Sequence, residues 1–292
     1  RIYDHSYHHV VSGGDVIAAE FARAWNAAGH TATVFTHPEA KLFFVSRGIR
    51  EGQLAIASRV KTDYGSVLLA SFAHTANATA DALKSKQPAA DLIFAGSWSL
   101  PDIIPAIIDK RKHPESVLAV GCYIFLVPPW IPAYGVNFLN RLVFYHVYLT
   151  GLMLTLLFSD VIWTASPVDA ANMTKWFKKR AFPIRGGVDV TEAAAARRIA
   201  SDKEYDAVFI GRFHPQKNII ELIRIWKSVA ASKKDARLVI AGAGFQESAI
   251  RREIKRTGLS GNITLLPPID GREKFSLLSK SRLFVSASHY DT

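Results

Sequence analysis

The stretch that most constrains the fold is Tyr205 to Asn218, Y-D-A-V-F-I-G-R-F-H-P-Q-K-N. An apolar strand-like run breaks at Gly211, and a helical pattern follows in Ile219, Ile220, Leu222, Ile223, Trp226 and Val229. A strand that turns directly into an amphipathic helix is the building unit of parallel sheets. It also sets Gly211, Arg212 and Lys217 at the carboxyl edge of a sheet, where open α/β folds bind ligands. With Asn218 as the expected helix cap, first-turn amides would face the same anion as the two cations. A doubly charged phosphate suits that arrangement, and solvated loop charges are the other reading.

The pattern then repeats. Arg237 to Ile240 reads as a strand, and A-G-A-G follows, with Gly242 and Gly244 letting a backbone approach a phosphate or sugar because glycine has no Cβ. A basic helix over Ser248 to Thr257 is predicted to stop at Gly258. A strand at Ile263 to Leu266, a short helix around Lys274 to Ser279 and a strand at Leu283 to Val285 complete the run. Alternating β and α elements predict a parallel sheet with helices on both faces.

Taken in order, G-R-F-H-P-Q-K-N, L-V-I-A-G-A-G, G-L-S-G-N-I-T-L-L-P-P-I and L-F-V-S-A-S-H-Y-D make the half from Tyr205 onward resemble the donor-binding domain of retaining GT-B glycosyltransferases of the family 4 type. That resemblance implies two Rossmann-like parallel-sheet domains facing each other across a cleft. It implies that Arg212 and Lys217 neutralise a donor diphosphate and that Asp291, after A-S-H-Y, stands where the family carries a Glu that meets the transferred sugar. Asp291 is one methylene shorter. The family's second carboxylate would fall beyond Thr292, so the chain is expected to be a fragment truncated at both ends. The donor substrate would be a nucleotide-diphosphate sugar, with no cofactor and no required metal.

The amino-terminal half fits the same frame. Y-D-H-S-Y-H-H-V-V-S-G-G-D-V-I resembles the loop after the first strand of an acceptor domain, with that strand incomplete and Gly13 and Gly14 at a helix amino end near the donor phosphate. A common turn is the alternative for S-G-G-D. Val16, Ile17, Phe21, Ala24, Trp25 and Ala28 are predicted to form one helical face, stopped by Gly29. His5, His8 and His9 lack the Cys or paired carboxylates of a metal site and read as a loop of solvated histidines, one of them available as a base. G-C-Y-I-F-L-V-P-P-W offers no counterpart of the family's catalytic His, so no general base is assigned.

At 292 residues the chain has room for two α/β cores. The expected division is an acceptor-binding domain over 1–170, an interdomain segment over 171–203 in which Gly186 and Gly187 supply hinge freedom, and a donor-binding domain over 204–292. Charge follows the division: residues 1–170 hold 13 Lys and Arg against 13 Asp and Glu, whereas 171–292 hold 23 against 12. A basic half attracts anions of several kinds. Nucleic acid is disfavoured, because zinc-finger spacing and RNP-type aromatics are missing and the cations lie on α/β helices.

From Leu142 to Phe158 no residue is charged apart from a protonatable His146, and such a run would rise roughly 26 Å as a helix, near the lower limit for a bilayer core. A buried helix, a lipid-facing helix and a single span all fit that composition. Trp130, Tyr134, Tyr145, Tyr148 and Trp163 flank or punctuate it, and M-T-K-W-F-K-K-R from Met173 to Arg180 mixes aromatic and basic residues as membrane-surface segments do. The single cysteine, Cys122, excludes an internal disulfide and reads as an inert core thiol of a reducing compartment. P-loop, dinucleotide, serine-hydrolase and zincin signatures are all missing. The expectation is a glycosyltransferase on the cytosolic face of a membrane, moving a hexose to a lipid-linked or glycan acceptor. A nucleotide-sugar epimerase and a non-catalytic membrane-bound partner subunit are the alternatives.

Overall fold

The computed structural model describes residues 1–5, 13–57, 67–123, 128–130, 138–184, 190–199, 203–269 and 271–288. Two compact units divide the chain. The first carries β1 (Ile2–Asp4), α1 (Gly13–Ala27), β2 (Val34–Thr36), α2 (Lys41–Ser46), β3 (Leu54–Ile56), α3 (Val67–Lys84), β4 (Leu92–Ala95), α4 (Leu100–Lys112), β5 (Val117–Cys122), α5 (Phe138–Phe158), β6 (Val161–Thr164), α6 (Pro167–Phe177) and β7 (Ala181–Pro183). The second carries α7 (Val190–Ile199), β8 (Tyr205–Ile210), α8 (Ile219–Ser232), β9 (Leu238–Ala241), α9 (Glu247–Thr257), β10 (Ile263–Leu266), α10 (Gly271–Ser279) and β11 (Ser281–Phe284).

Every strand pairing is parallel, in the order β3-β2-β1-β4-β5-β6-β7 in the first unit and β10-β9-β8-β11 in the second. Chain order therefore reverses beside β1 in one sheet and beside β8 in the other. Loops leaving a sheet in opposite directions open a crevice at such a point, so the carboxyl ends of β1 and β8 are where ligand-binding residues collect.

Helix α1 packs differently from its apolar pattern. Ala18, Ala19 and Ala22 are fully buried, Phe21 and Trp25 only partly, and Ala24 and Ala28 are exposed. Small alanines let the helix close down on the sheet, and a hydrophobicity count that weights large side chains misses the face they form. In the second unit Phe209, Phe213, Ile219, Leu222, Ile223 and Trp226 form the core between β8, β9 and α8. The basic face of α9 is exposed while Ile250 and Ile254 join the core, and Arg251 pairs with Glu247 at 2.7 Å and Arg256 with Glu253 at 2.6 Å, so part of its charge is neutralised within the helix.

The long apolar helix α5 is not a core helix. Gly151 and Thr155 are its only fully buried residues, and 11% of its most apolar window is buried. Cys122 lies in the first core, where burial raises its thiol pKa far above the ordinary range.

Candidate functional site

The β8–α8 turn is built by two loops zipped together through their backbones. Gly211 N–H donates to Ala241 O at 3.0 Å, Phe213 N–H to Ala243 O at 2.8 Å and Gln246 N–H to Phe213 O at 3.3 Å. Gly242 and Gly244 are required by this contact: a Cβ on Gly242 would lie 1.9 Å from Gly211 O, and one on Gly244 2.5 Å from Phe213 O. Their glycine identity was read as room for a ligand, but the backbone that comes close is the neighbouring loop. Phe213 is buried and anchors the turn, which leaves Arg212 exposed and Lys217 half-buried beyond the end of β8.

Asn218 does not cap α8 with its side chain. It sits in the left-handed region at φ 50°, after the 3₁₀ turn Pro215–Lys217, and its carbonyl accepts from Glu221 N–H and Leu222 N–H at 3.1 Å. The compact turn needs a positive φ, which asparagine tolerates better than most residues. The cap of that turn is His214, whose Nδ1 accepts from Gln216 N–H at 3.2 Å. Its proton affinity is lowered first by burial and then by the positive charges of Arg212 and Lys217. Three residues of one turn therefore share a positive field, and His214 is neutral within it. Its ring meets Phe245 edge-on at 5.4 Å, and Phe245 is 71% exposed. His214 was not singled out in the sequence, although a His-Pro pair before a helix start carries a capping signal.

Gly211, Arg212, Lys217, Gly242 and Gly244 are thus brought together in the second unit. Gly13 and Gly14 open α1 in the first unit, where nothing lies within 4 Å of a Cβ built on Gly13. Asp291 lies outside the described residues, as do His8, His9, Gly186 and Gly187.

The carboxyl end of β1 holds a buried polar cluster that the sequence did not announce. Asp4, Asp15 and Asp102 are all nearly or completely buried. Asp102 accepts from His5 N–H at 2.6 Å and from the hydroxyls of Ser97 and Ser99 at 2.5 and 3.1 Å. Burial, and then the charges of Asp15 and Asp102, raise Asp4 well above the carboxylate range, and it hydrogen-bonds Asp15, so its protonated form is favoured. His5 is 5% exposed, which overturns its place in a solvated loop; burial lowers its pKa to about 3.

These two groups drive stability in opposite directions. His5 is depressed in the folded state, so its contribution is complete above pH 6.5 and is lost as pH falls towards about 3. Asp4 is raised, so its contribution is complete below the ordinary carboxylate value and is lost as pH rises from there. Urea titrations across the acid and neutral range are expected to show His5→Gln flattening the acid slope, by up to about 1.4 kcal/mol per pH unit for one proton. Asp4→Asn should flatten the loss on the alkaline side. Wild-type slopes retained in both variants would remove these residues from the account.

Comparison with known proteins bears on the fold and on the second unit's family. Residues 191–292 match the family described as Glycosyl transferases group 1. Over 97 residues the chain is 32% identical to a poly(glycerol-phosphate) alpha-glucosyltransferase of Bacillus subtilis, a segment that is 33% of this chain and 14% of that protein's length. Solved structures extend the likeness to almost the whole chain. Anabaena HepE in complex with UDP-glucose superposes with a TM-score of 0.64 at 14% identity, over 98% of this chain and 73% of its own. Sucrose-phosphate synthase from Thermosynechococcus elongatus does so with a TM-score of 0.67 at 15% identity, over 99% and 75%. At those identities the likeness is one of fold. The chain thus has the GT-B fold along its length, and its segment 191–292 matches the glycosyl transferases group 1.

Proposed function

We propose that this protein transfers a hexose from a nucleotide-diphosphate sugar to a hydroxyl of a lipid-linked or glycan acceptor, with retention at the anomeric carbon, on the cytosolic face of a membrane. The observation that carries the proposal is the β8–α8 turn, where Arg212 and Lys217 bring positive charge to the carboxyl end of the strand beside which chain order reverses. As the bond between the anomeric carbon and the diphosphate breaks, negative charge grows on the leaving phosphate. Cations already held in place stabilise that charge more in the transition state than in the ground state. In this reading no metal is needed to neutralise the diphosphate, Asp291 orients sugar hydroxyls, and Gly13 and Gly14 present amides at the start of α1.

A uridine nucleotide sugar is the first donor to try, since HepE is bound to UDP-glucose and the Bacillus relative is a glucosyltransferase. Binding of UDP, followed by calorimetry, should precede any assay of transfer. Micromolar UDP binding that is weakened in Arg212→Ala supports the site, since free UDP carries the charge of the leaving group, whereas binding indifferent to Arg212 and Lys217 would place the nucleotide elsewhere.

A further inference from the structure

We propose that α5 and the basic turn between α6 and β7 form one surface that seats the first unit on an anionic lipid bilayer, with α5 lying along the interface. This deepens the membrane side of the proposed function and rests on that part of it. It is independent of which sugar is moved.

The first observation is the exposure of α5. Met153 is 56% exposed and Leu157 69%, on a helix of 21 residues whose only formal charge is Arg141. A surface helix of a soluble fold normally turns polar residues outward. Here the polar residues on the exposed stripe satisfy themselves. The His146 ring nitrogen Nδ1 lies 2.7 Å from Leu142 O, and Thr150 Oγ donates to His146 O at 2.9 Å. Polar atoms returned to the helix's own carbonyls are what a low-dielectric surrounding demands, because no water is there to meet them.

The second observation is where the charges stand. Lys179 Nζ donates to Ser159 O at 2.9 Å, which ties the α6–β7 turn to the carboxyl end of α5. Arg111 lies over the Phe158 ring at 5.0 Å, and Arg180 over Phe182 at 5.9 Å. Lys175, Lys178 and Arg180 are exposed, beside a Trp176 that is 62% exposed. Capping the last carbonyls of α5 uses Lys179 alone. The acid that follows the helix, Asp160, is engaged by Lys110 at 3.0 Å. From Lys175 to Phe182 the chain carries four cations and no anion. An apolar helix ending in surplus cations and aromatics complements acyl chains beneath anionic headgroups.

The packing also decides between lying and spanning. A Cβ on Gly151 would lie 2.1 Å from Trp98 O, and Thr155 is fully buried, so the carboxyl-terminal half of α5 is held sideways against the entry to α4. A helix clamped along its side to a folded unit cannot cross a bilayer alone, but its opposite face can enter the interface.

The test is co-sedimentation of the intact chain with vesicles of phosphatidylglycerol and phosphatidylcholine, against phosphatidylcholine alone, over a salt series. Binding is expected only with phosphatidylglycerol and should weaken as salt rises. Lys178→Glu with Arg180→Glu should weaken it roughly thirtyfold, and Met153→Gln with Leu157→Gln more than tenfold. Both side chains of the charge pair are exposed, and circular dichroism on both variants separates lost binding from lost folding. Equal binding to neutral vesicles, or none to either, overturns the proposal. So does a concentration-dependent dimer that disappears in the α5 variant, because a second copy would then be the occupant. UDP binding measured on the same samples separates the two readings: its survival in the charge-reversed pair leaves the transfer proposal standing whatever the vesicles show.

Discussion

Replacing Arg212 with alanine is expected to lower kcat for sugar transfer by on the order of 10²–10³-fold, with a much smaller change in KM for the nucleotide sugar. The reason is the timing of the charge. In the ground state the diphosphate's charge is spread over two phosphoryl groups and water. In the proposed reaction a further negative charge concentrates on the leaving phosphate, which the β8–α8 turn is proposed to meet. Arg212 is exposed beside the buried Phe213 that anchors the turn, and the following 3₁₀ turn ends at Lys217. Lys217→Ala should act in the same sense. The double variant should lose less than the product of the single losses, since both side chains act on one phosphate. Initial-rate kinetics decide the matter: a rise in KM at constant kcat would show that these cations bind the substrate without helping the reaction, and the assigned role would fall.

Gly242→Ala is expected to be the most damaging small substitution in the second unit, costing about 3 kcal/mol or more. Its Cβ would stand 1.9 Å from Gly211 O, a backbone atom that cannot swing away, and Gly242 also has φ 153°. Relief requires the two loops to part. That breaks the bonds from Gly211 N–H to Ala241 O and from Phe213 N–H to Ala243 O, and releases the turn that holds Arg212. Stability and UDP binding should therefore fall together. Gly13→Ala is the control, because nothing lies within 4 Å of a Cβ there, and its stability should stay within about 0.5 kcal/mol of wild type. Comparable losses from both changes in urea unfolding would mean that the zipped loops do not govern the site.

Much of the second unit was legible before any coordinates. Strands β8 to β10 and helices α8 and α9 lie within a residue or two of their predicted limits, because period-two and period-3.6 patterns there are bounded by glycines. The Arg212 and Lys217 pair was legible for the same reason, its position following directly from where an apolar strand must end. Less was legible in the first unit. The core stripe of α1 runs through alanines, whose burial depends on how closely the helix approaches the sheet and leaves little mark on a hydrophobicity pattern.

Three features were decided by tertiary structure alone. The adjacent Asp4 and His5, together with Asp15 and Asp102, come from three separate stretches of chain, and tertiary folding at the carboxyl end of β1 gathers them into one buried cluster, where burial shifts the proton affinities of Asp4 and His5. The apolar composition of α5 favoured a core helix, then a lipid-facing helix, with a span last. What separated them was packing of one face, with Gly151 against the Trp98 backbone and Thr155 buried, which leaves Met153 and Leu157 on the exposed side. Gly242 and Gly244 were visible as glycines, but the partner that needs their missing Cβ atoms is another loop. By itself the sequence determined the local elements and the charges at their ends, since those depend on neighbours a few residues apart. Distances between remote segments, and so burial, shifted proton affinities and the exposed face of α5, were left to the tertiary structure, because no local pattern encodes which segments will meet.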